Sequence, residues 1–245
     1  MAEQRVSGEE PGRELSKKEE REQRILDAAA ELLERWGYRK TTLEDIARRA
    51  GVAKPTIYLS WKTREALFMA LIEREQAAFY GEIVQRMEKD PEGMTLPGLV
   101  KHSILATLKN PLMKALATRD VEFLGELATH EHNTAAYQAQ MQSYAAIMSF
   151  LRELGVIRSD VDLREQSITF ASVTWGFLLV DPLLPADFKL TDEQMGEQAY
   201  TTLKRLLEPD IPPSEEQRRE GKKAFRAYME QVVAIVQDTS HEAKL

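Results

Sequence analysis

The chain contains no cysteine. That absence excludes a disulfide framework, a thiolate zinc site, an iron–sulfur cluster and a cysteine nucleophile, and it is compatible with a reducing cytosol. Histidine is scarce, at four residues, and three enzyme signatures are missing: a glycine-rich phosphate loop, a GxSxG elbow and an HExxH pair. Enzymatic chemistry has little to stand on, and no cofactor is expected. Long hydrophobic runs are missing too. Phe177 to Val180 and Val232 to Val236 are far shorter than the roughly 20 residues of a membrane-spanning helix. Met1 to Lys18 is too acidic and polar for a secretory signal. A soluble cytoplasmic protein with no membrane partner is the expectation.

What is present is enough to fold. The 245 residues are 43% hydrophobic and 30% charged, which supports a substantial core and excludes a collagenous or wholly disordered chain. The formal net charge of −7 hides an uneven distribution. Residues 35–64 hold eight basic side chains against Glu44 and Asp45, whereas residues 76–245 hold 18 basic against 25 acidic. A cationic patch on an anionic body lets such a chain approach phosphates.

Apolar spacing predicts helices throughout. Residues 1–18 lack periodicity and are expected to form a disordered tail. Ile25, Ala28, Ala29, Leu32, Leu33 and Trp36 make a stripe on one side of a helix that starts near Glu19 and ends at Gly37. Thr41 or Thr42 caps a short second helix with Leu43, Ile46, Ala47 and Ala50 inward, stopped by Gly51. Pro55 lies in the first turn of a third segment that continues through Ile57, Tyr58 and Trp61. Thr63 caps a longer fourth helix reaching about Glu88. Pro91 and Gly93 precede a helix over 96–108, and Pro111 restarts the chain. Further helices are expected near 119–129, 134–154, 163–181, 191–207 and 214–238. No stretch alternates like a strand, so the expected fold class is all-α.

The spacing of Ala47, Gly51 and Ile57 carries the functional signal. Two helices crossing steeply need a small residue at the crossing, a positive φ in the turn and an apolar plug beneath the second helix. That is a helix-turn-helix, and it falls inside the cationic window. The run TTLEDIARRAGVAKPTIYLSWKTREALF, Thr41 to Phe68, resembles the DNA-binding motif of the TetR family of transcriptional regulators. Its counterparts to the family pattern are Thr42, Ile46-Ala47, Ala50-Gly51-Val52, Ala53, Tyr58, Trp61 and Arg64-Glu65 before Leu67. Three residues depart from it: Ala53 lacks a capping hydroxyl, Pro55 replaces a small flexible residue, and Arg64 stands for Lys. The resemblance implies that Thr42, with neighbouring Thr41, meets a backbone phosphate, as do Tyr58, Lys62 and Arg64. It places Lys54, Pro55 and Thr56 on the floor of the major groove. Trp61 completes the candidate set, with a core position as the alternative; Arg48 and Arg49 read as a solvated face.

By the same resemblance, residues 19–63 form the DNA-binding domain and 64–213 a helical domain that binds a ligand and forms a homodimer. Residues 214–245 are a C-terminal helical extension. Candidate dimer residues are Ile168, Ser172, Gly176 and Leu179 on one helix with Tyr200, Leu203 and Leu207 on the next; burial within a single chain is the alternative for both stripes. Candidate ligand residues are Phe123, Tyr137, Met141, Tyr144, Phe170 and Trp175, suited to an apolar or aromatic effector, with core packing as the alternative. His130, Glu131 and His132 are adjacent and do not share a helix face, so no metal is expected. The function so implied is a homodimeric repressor that binds a palindromic double-stranded operator and is released by a small molecule. Two other readings stay open: a constitutive DNA-binding protein without effector, and a helical carrier or small enzyme with a vestigial helix-turn-helix.

Overall fold

The computed structural model describes residues 16–129 and 131–242, and the side chains within them except those of 129, 131–137, 139–140 and 235–242. Eleven α-helices and no strand occur among the described residues, as the periodicity requires. They are α1 (Lys17–Lys40), α2 (Leu43–Ala50), α3 (Lys54–Ile57), α4 (Arg64–Lys89), α5 (Leu96–Lys109), α6 (Pro111–Thr118), α7 (Val121–Leu124), α8 (Glu131–Glu153), α9 (Leu163–Val180), α10 (Asp192–Leu207) and α11 (Glu215–Glu242). None is long and apolar enough to cross a membrane among the described residues. The expected tail falls almost wholly outside them.

Helix boundaries follow local chemistry. Ser16 and Glu19 form a reciprocal capping box on α1, and Thr191 with Gln194 forms another on α10. Thr63, Thr95, Asn110, Asp120 and Asp162 cap α4, α5, α6, α7 and α9 through their side-chain oxygens. Proline sits in the first turn of α3, α5 and α6, where its missing amide hydrogen costs no bond. Two expectations need correction. Helical bonding resumes past the non-helical Gly37 to Lys40, and the expected helix over 119–129 is the short α7 followed by a 3-10 turn over Gly125–Thr129. Asp120 starts a new cap and Gly125, at φ 56° and ψ −132°, leaves helical geometry.

Two hydrophobic clusters divide the interior. The head cluster gathers Ile25, Leu33, Ile46, Ile57 and Trp61 with Leu67, Phe68, Leu71 and Ile72 of α4, and is completed by Leu112, Met113, Leu124, Leu127 and Ala128. The trunk cluster gathers α4, α5, α8, α9, α10 and α11 around Ile83, Met148, Phe170, Leu203 and Phe225. Phe79 of α4 packs against both. Helix α11 lies along α4, burying Phe225 and Met229, and is pinned by Lys222 Nζ donating to the Pro91 carbonyl at 2.8 Å and Gln217 Nε2 to that of Leu154 at 3.0 Å. The apolar stripe of the extension thus covers α4; its Ile235 and Val236 lie outside the described side chains.

Candidate nucleic-acid interface and trunk cavity

The turn between α2 and α3 is built as its sequence demands. Gly51 adopts φ 68° and ψ 36°, its amide donates back to Ala47 and Arg48, and the Val52 amide donates to the Ala47 carbonyl at 3.0 Å. No heavy atom lies within 4 Å of where a Cβ on Gly51 would stand, so the glycine is required by its backbone angle and not by crowding. Ala47 and Ile57 are buried beneath the crossing. Ala53 caps α3 with no side-chain bond, and α3 keeps helical bonding for only Lys54–Ile57 before a turn carries the chain to Trp61.

Several candidates face outward together. Thr42 caps α2, its hydroxyl accepting from the Asp45 amide at 3.2 Å and donating to Asp45 Oδ2 at 2.6 Å. Lys54 and Pro55 are exposed at the start of α3, with Thr56 half-buried beside them. Tyr58 is exposed, and Lys62 Nζ donates to its backbone carbonyl at 3.3 Å. Lys54 Nζ lies 3.8 Å from Glu44 Oε2, both exposed, a weak pair in water. Arg48 and Arg49 are paired with Asp45 and Glu31, in keeping with a solvated face.

Three candidates turn inward instead. Thr41 is 0% exposed, and its hydroxyl donates towards the Leu32 carbonyl at 3.1 Å and that of Gly37 at 2.9 Å, leaving no surface for a phosphate. Trp61 is buried in the head core. Arg64 lays its guanidinium 3.8 Å over the Tyr38 ring, donates from Nε to the Thr41 carbonyl at 3.0 Å and from Nη2 to the Tyr38 carbonyl. It fastens α4 to the end of α1, which a Lys cannot do with the same planar fork. Trp36, expected on the inner stripe of α1, is exposed beside Arg35. Sequence reasoning missed Leu59, 69% exposed in the turn after α3, and Lys40, exposed at the end of α1. Lys40 had a signal in the cationic window; Leu59 had none, because periodicity cannot mark an apolar side chain left outside.

The trunk encloses a cavity of about 880 Å³, within the range of small-molecule sites. It is walled by α4, α5, α6, α8 and α9, and of the candidate ligand residues Met141, Tyr144, Phe170 and Trp175 line it, joined by Phe79, Tyr80, Ile104 and Met113. Tyr144 meets Phe170 edge-on at 5.6 Å between ring centroids. Burial pushes the Tyr80 phenol up to about 12, so it stays protonated. Phe123 does not line the cavity; it sits on α7 and packs against the head cluster, because that helix turns toward α1. Tyr137 and the cluster His130, Glu131 and His132 lie outside the described side chains.

The expected dimer stripes separate. Leu203 and Leu207 are buried under their own chain, where α10 packs on α5, and Tyr200 is half-buried beneath Lys101 and Lys204. On α9 the opposite holds: Ile168 is 56% and Leu179 49% exposed, Ser172 is exposed, and the space beside Gly176 is open. These four also line the cavity, which therefore reaches the surface along α9.

Residues 25–71 match the model for bacterial regulatory proteins of the TetR family. The chain is 34% identical over 76 residues to the fatty acid metabolism regulator protein of Bacillus subtilis, a match covering 31% of this chain and 37% of that protein. It is 26% identical over 202 residues to the transcriptional regulator AcrR of Shigella flexneri, covering 79% of this chain and 93% of AcrR. In the first curated relatives the match thus spans about a third of their length. Among solved structures, FadR of Bacillus subtilis in complex with stearoyl-CoA superposes with a TM-score of 0.56 at 19% identity, covering 74% of this chain and 96% of that one. NalD, the secondary repressor of the MexAB-OprM efflux pump of Pseudomonas aeruginosa, gives 0.54 at 21% identity, covering 78% and 98%. These likenesses show the same all-helical fold. The helix-turn-helix built on Ala47, Gly51 and Ile57 lies within the matched residues 25–71 and is similar to the DNA-binding region of TetR-family regulators, and the helical trunk that continues it shares their fold.

Proposed function

We propose that this chain is a repressor that binds a palindromic duplex operator as a homodimer and lets go when an apolar small molecule fills its trunk cavity. Residues 19–63 act as the DNA-binding unit, 64–213 as the effector-binding and dimerising unit, and 214–245 as a brace along α4. One observation carries the reading: Thr42, Lys54, Pro55, Tyr58 and Lys62 are all exposed on a helix-turn-helix whose inner side is a filled core. Thr42, Tyr58 and Lys62 contact phosphates and set position; Lys54, Pro55 and Thr56 enter the groove and read bases. A second copy supplies the other recognition helix. Support for that copy comes from Ile168, Leu179, Val180, Leu183, Phe188 and Leu190, which are exposed on α9 and in the turns after it.

Release follows from shared walls. Met113 and Ala128 belong to the head cluster and also line the cavity, and Phe79 does the same from α4. An occupant that moves α6 or α4 therefore moves the head, and a coupling of about 1–3 kcal/mol changes operator affinity roughly 5- to 150-fold. NalD being a repressor and FadR being crystallised with stearoyl-CoA support this assignment by analogy. The test is a randomised duplex selection with the purified protein, followed by anisotropy titration of the enriched sequence. An inverted repeat bound with one dimer per site is expected; no enrichment over input sequence at low salt sinks the reading.

A further inference from the structure

The hydroxyls in the cavity wall fall into two kinds. Thr118 of α6 and Ser167 and Thr174 of α9 each donate to a carbonyl one turn back on their own helix, at 2.9, 2.7 and 2.8 Å. On α5 that pattern breaks. Ser103 and Thr107 also line the cavity, yet neither hydroxyl is hydrogen-bonded to any group among the described residues. The two lie four residues apart, on one face of α5. Helix α4, packed against α5, brings the side-chain amide of Gln76 to the same cavity, likewise without a partner among the described residues.

Thr107 matters most of the three. It is only 5% exposed, and it borders the cavity. An occupant that displaces water from this wall must therefore bond to the Thr107 hydroxyl or leave it buried and unpaired, which lowers its affinity. Charge has no such opening. No carboxylate, Lys or His is among the described residues that line the cavity, and Arg119, which borders it, is exposed and already engaged. An ion buried there gives up its water for no unclaimed counter-charge. Thr107 also stands in the last turn of α5. Its carbonyl accepts from the Asn110 amide at 3.2 Å, and Asn110 Oδ1 caps α6 by accepting from the amide of Met113, a residue of the head core, at 3.0 Å.

We infer that the effector is an uncharged molecule with an apolar or aromatic body and one carbonyl or hydroxyl group, and that Thr107 binds that group, with Ser103 one turn away and Gln76 on the neighbouring helix. This rests on the proposal that the cavity is the effector site.

The uncharged dye phenylnaphthylamine reports occupancy of the cavity in the full chain. Naphthalenes of similar size then compete for it at neutral pH: 1-methylnaphthalene, which has no hydrogen-bonding group, 1-naphthol, 1-acetonaphthone, 1-naphthoate and 1-naphthylmethylammonium. Naphthol or acetonaphthone should displace the dye about tenfold more tightly than methylnaphthalene, the gain expected of one bond to an otherwise unpaired buried group, and both ions should be weaker than the better of the two. Thr107→Ser should keep that order. Thr107→Val, close to threonine in shape, should bring naphthol and acetonaphthone to within about twofold of methylnaphthalene. It should do so with no loss of stability in urea, because no bond within the fold is removed. Equal displacement by methylnaphthalene, or tighter displacement by either ion, overturns the inference. So does a preference that survives in Thr107→Val, or a Thr107→Val chain less stable in urea, whose lost hydroxyl must then have served the fold. A dye that never binds saturably overturns the cavity reading itself, a result distinct from binding that ignores the polar group.

Discussion

In the head, Ile25, Ile46, Ile57, Leu67 and Phe68 are fully buried against one another, whereas in the trunk Phe79, Tyr144, Phe170 and Trp175 surround an open volume of about 880 Å³. Both regions are helical and capped by the same chemistry, so the difference lies in what fills the space between helices. A filled interior resists deformation and moves as a body, which suits the proposed role of Lys54, Tyr58 and Lys62 in meeting a duplex in fixed relation to one another. A void can be occupied or left empty, and its walls can move. Helix α4 joins the two, holding Phe68 in the first and Phe79 at the edge of both.

The largest expected effect tests that contrast directly. Phe68→Ala should cost about 3–5 kcal/mol, read from the urea midpoint, while Met141→Ala, bordering existing space, should cost less than about 2 kcal/mol. Equal losses would show the trunk to be packed as tightly as the head. Next comes the fastening of α4 to α1. Arg64→Ala should cost about 1.5–3 kcal/mol of stability by removing charge-assisted bonds to the Tyr38 and Thr41 carbonyls, and should lower operator affinity without changing its salt slope. A shallower slope would return Arg64 to the phosphate contacts.

Smaller effects sharpen the picture of the exposed face. Lys54→Ala should shift base preference by about 1–3 kcal/mol at a single position of the operator, measured by repeating the selection. Lys62→Ala should weaken all sequences alike and reduce the salt slope by about 1, the signature of one lost phosphate contact. An unchanged slope would remove Lys62 from the interface.

The smallest effect is in pH, and it belongs to the trunk, since the head region contains no histidine. Burial holds His102 below its ordinary 6.5, outweighing the opposite pull of Asp90 Oδ2 at 3.1 Å. A base with a depressed folded pKa is protonated more readily when unfolded. Stability should therefore fall as pH drops below 6.5 towards the folded value, and His102→Gln should flatten that limb in thermal melts. Asp90 adds a loss at lower pH. Desolvation pushes its carboxyl up, but the bonds it accepts from the Glu92 amide, Lys101 and His102 together hold it below 3.8.

Local spacing made the helix-turn-helix legible, because its constraints act over a few residues: a small Ala47 at the crossing, a positive φ at Gly51, a plug at Ile57. The same was true of helix starts, where Ser, Thr, Asp, Asn and Pro satisfy or forgo amides within one turn. Thr41 and Thr42 show where that legibility ends. Adjacent and chemically identical, they differ only in direction: Thr42 caps α2, while Thr41 reaches the carbonyl of Leu32 nine residues back. Arg64 fits a phosphate contact by type and position, yet the Tyr38 ring and carbonyl claim it first.

By itself, then, the amino-acid order settled the class of fold, most of its helices and the cationic face, since each depends on neighbours within about one or two turns. Tertiary packing decided which apolar stripe is spent inside the chain, as with Leu203 and Leu207 under α5, and which stays open, as with Ile168 and Leu179. It also placed Phe123 against the head and Arg119 in the cavity wall. Periodicity records that a face is apolar; only the path of distant segments determines what comes to cover it.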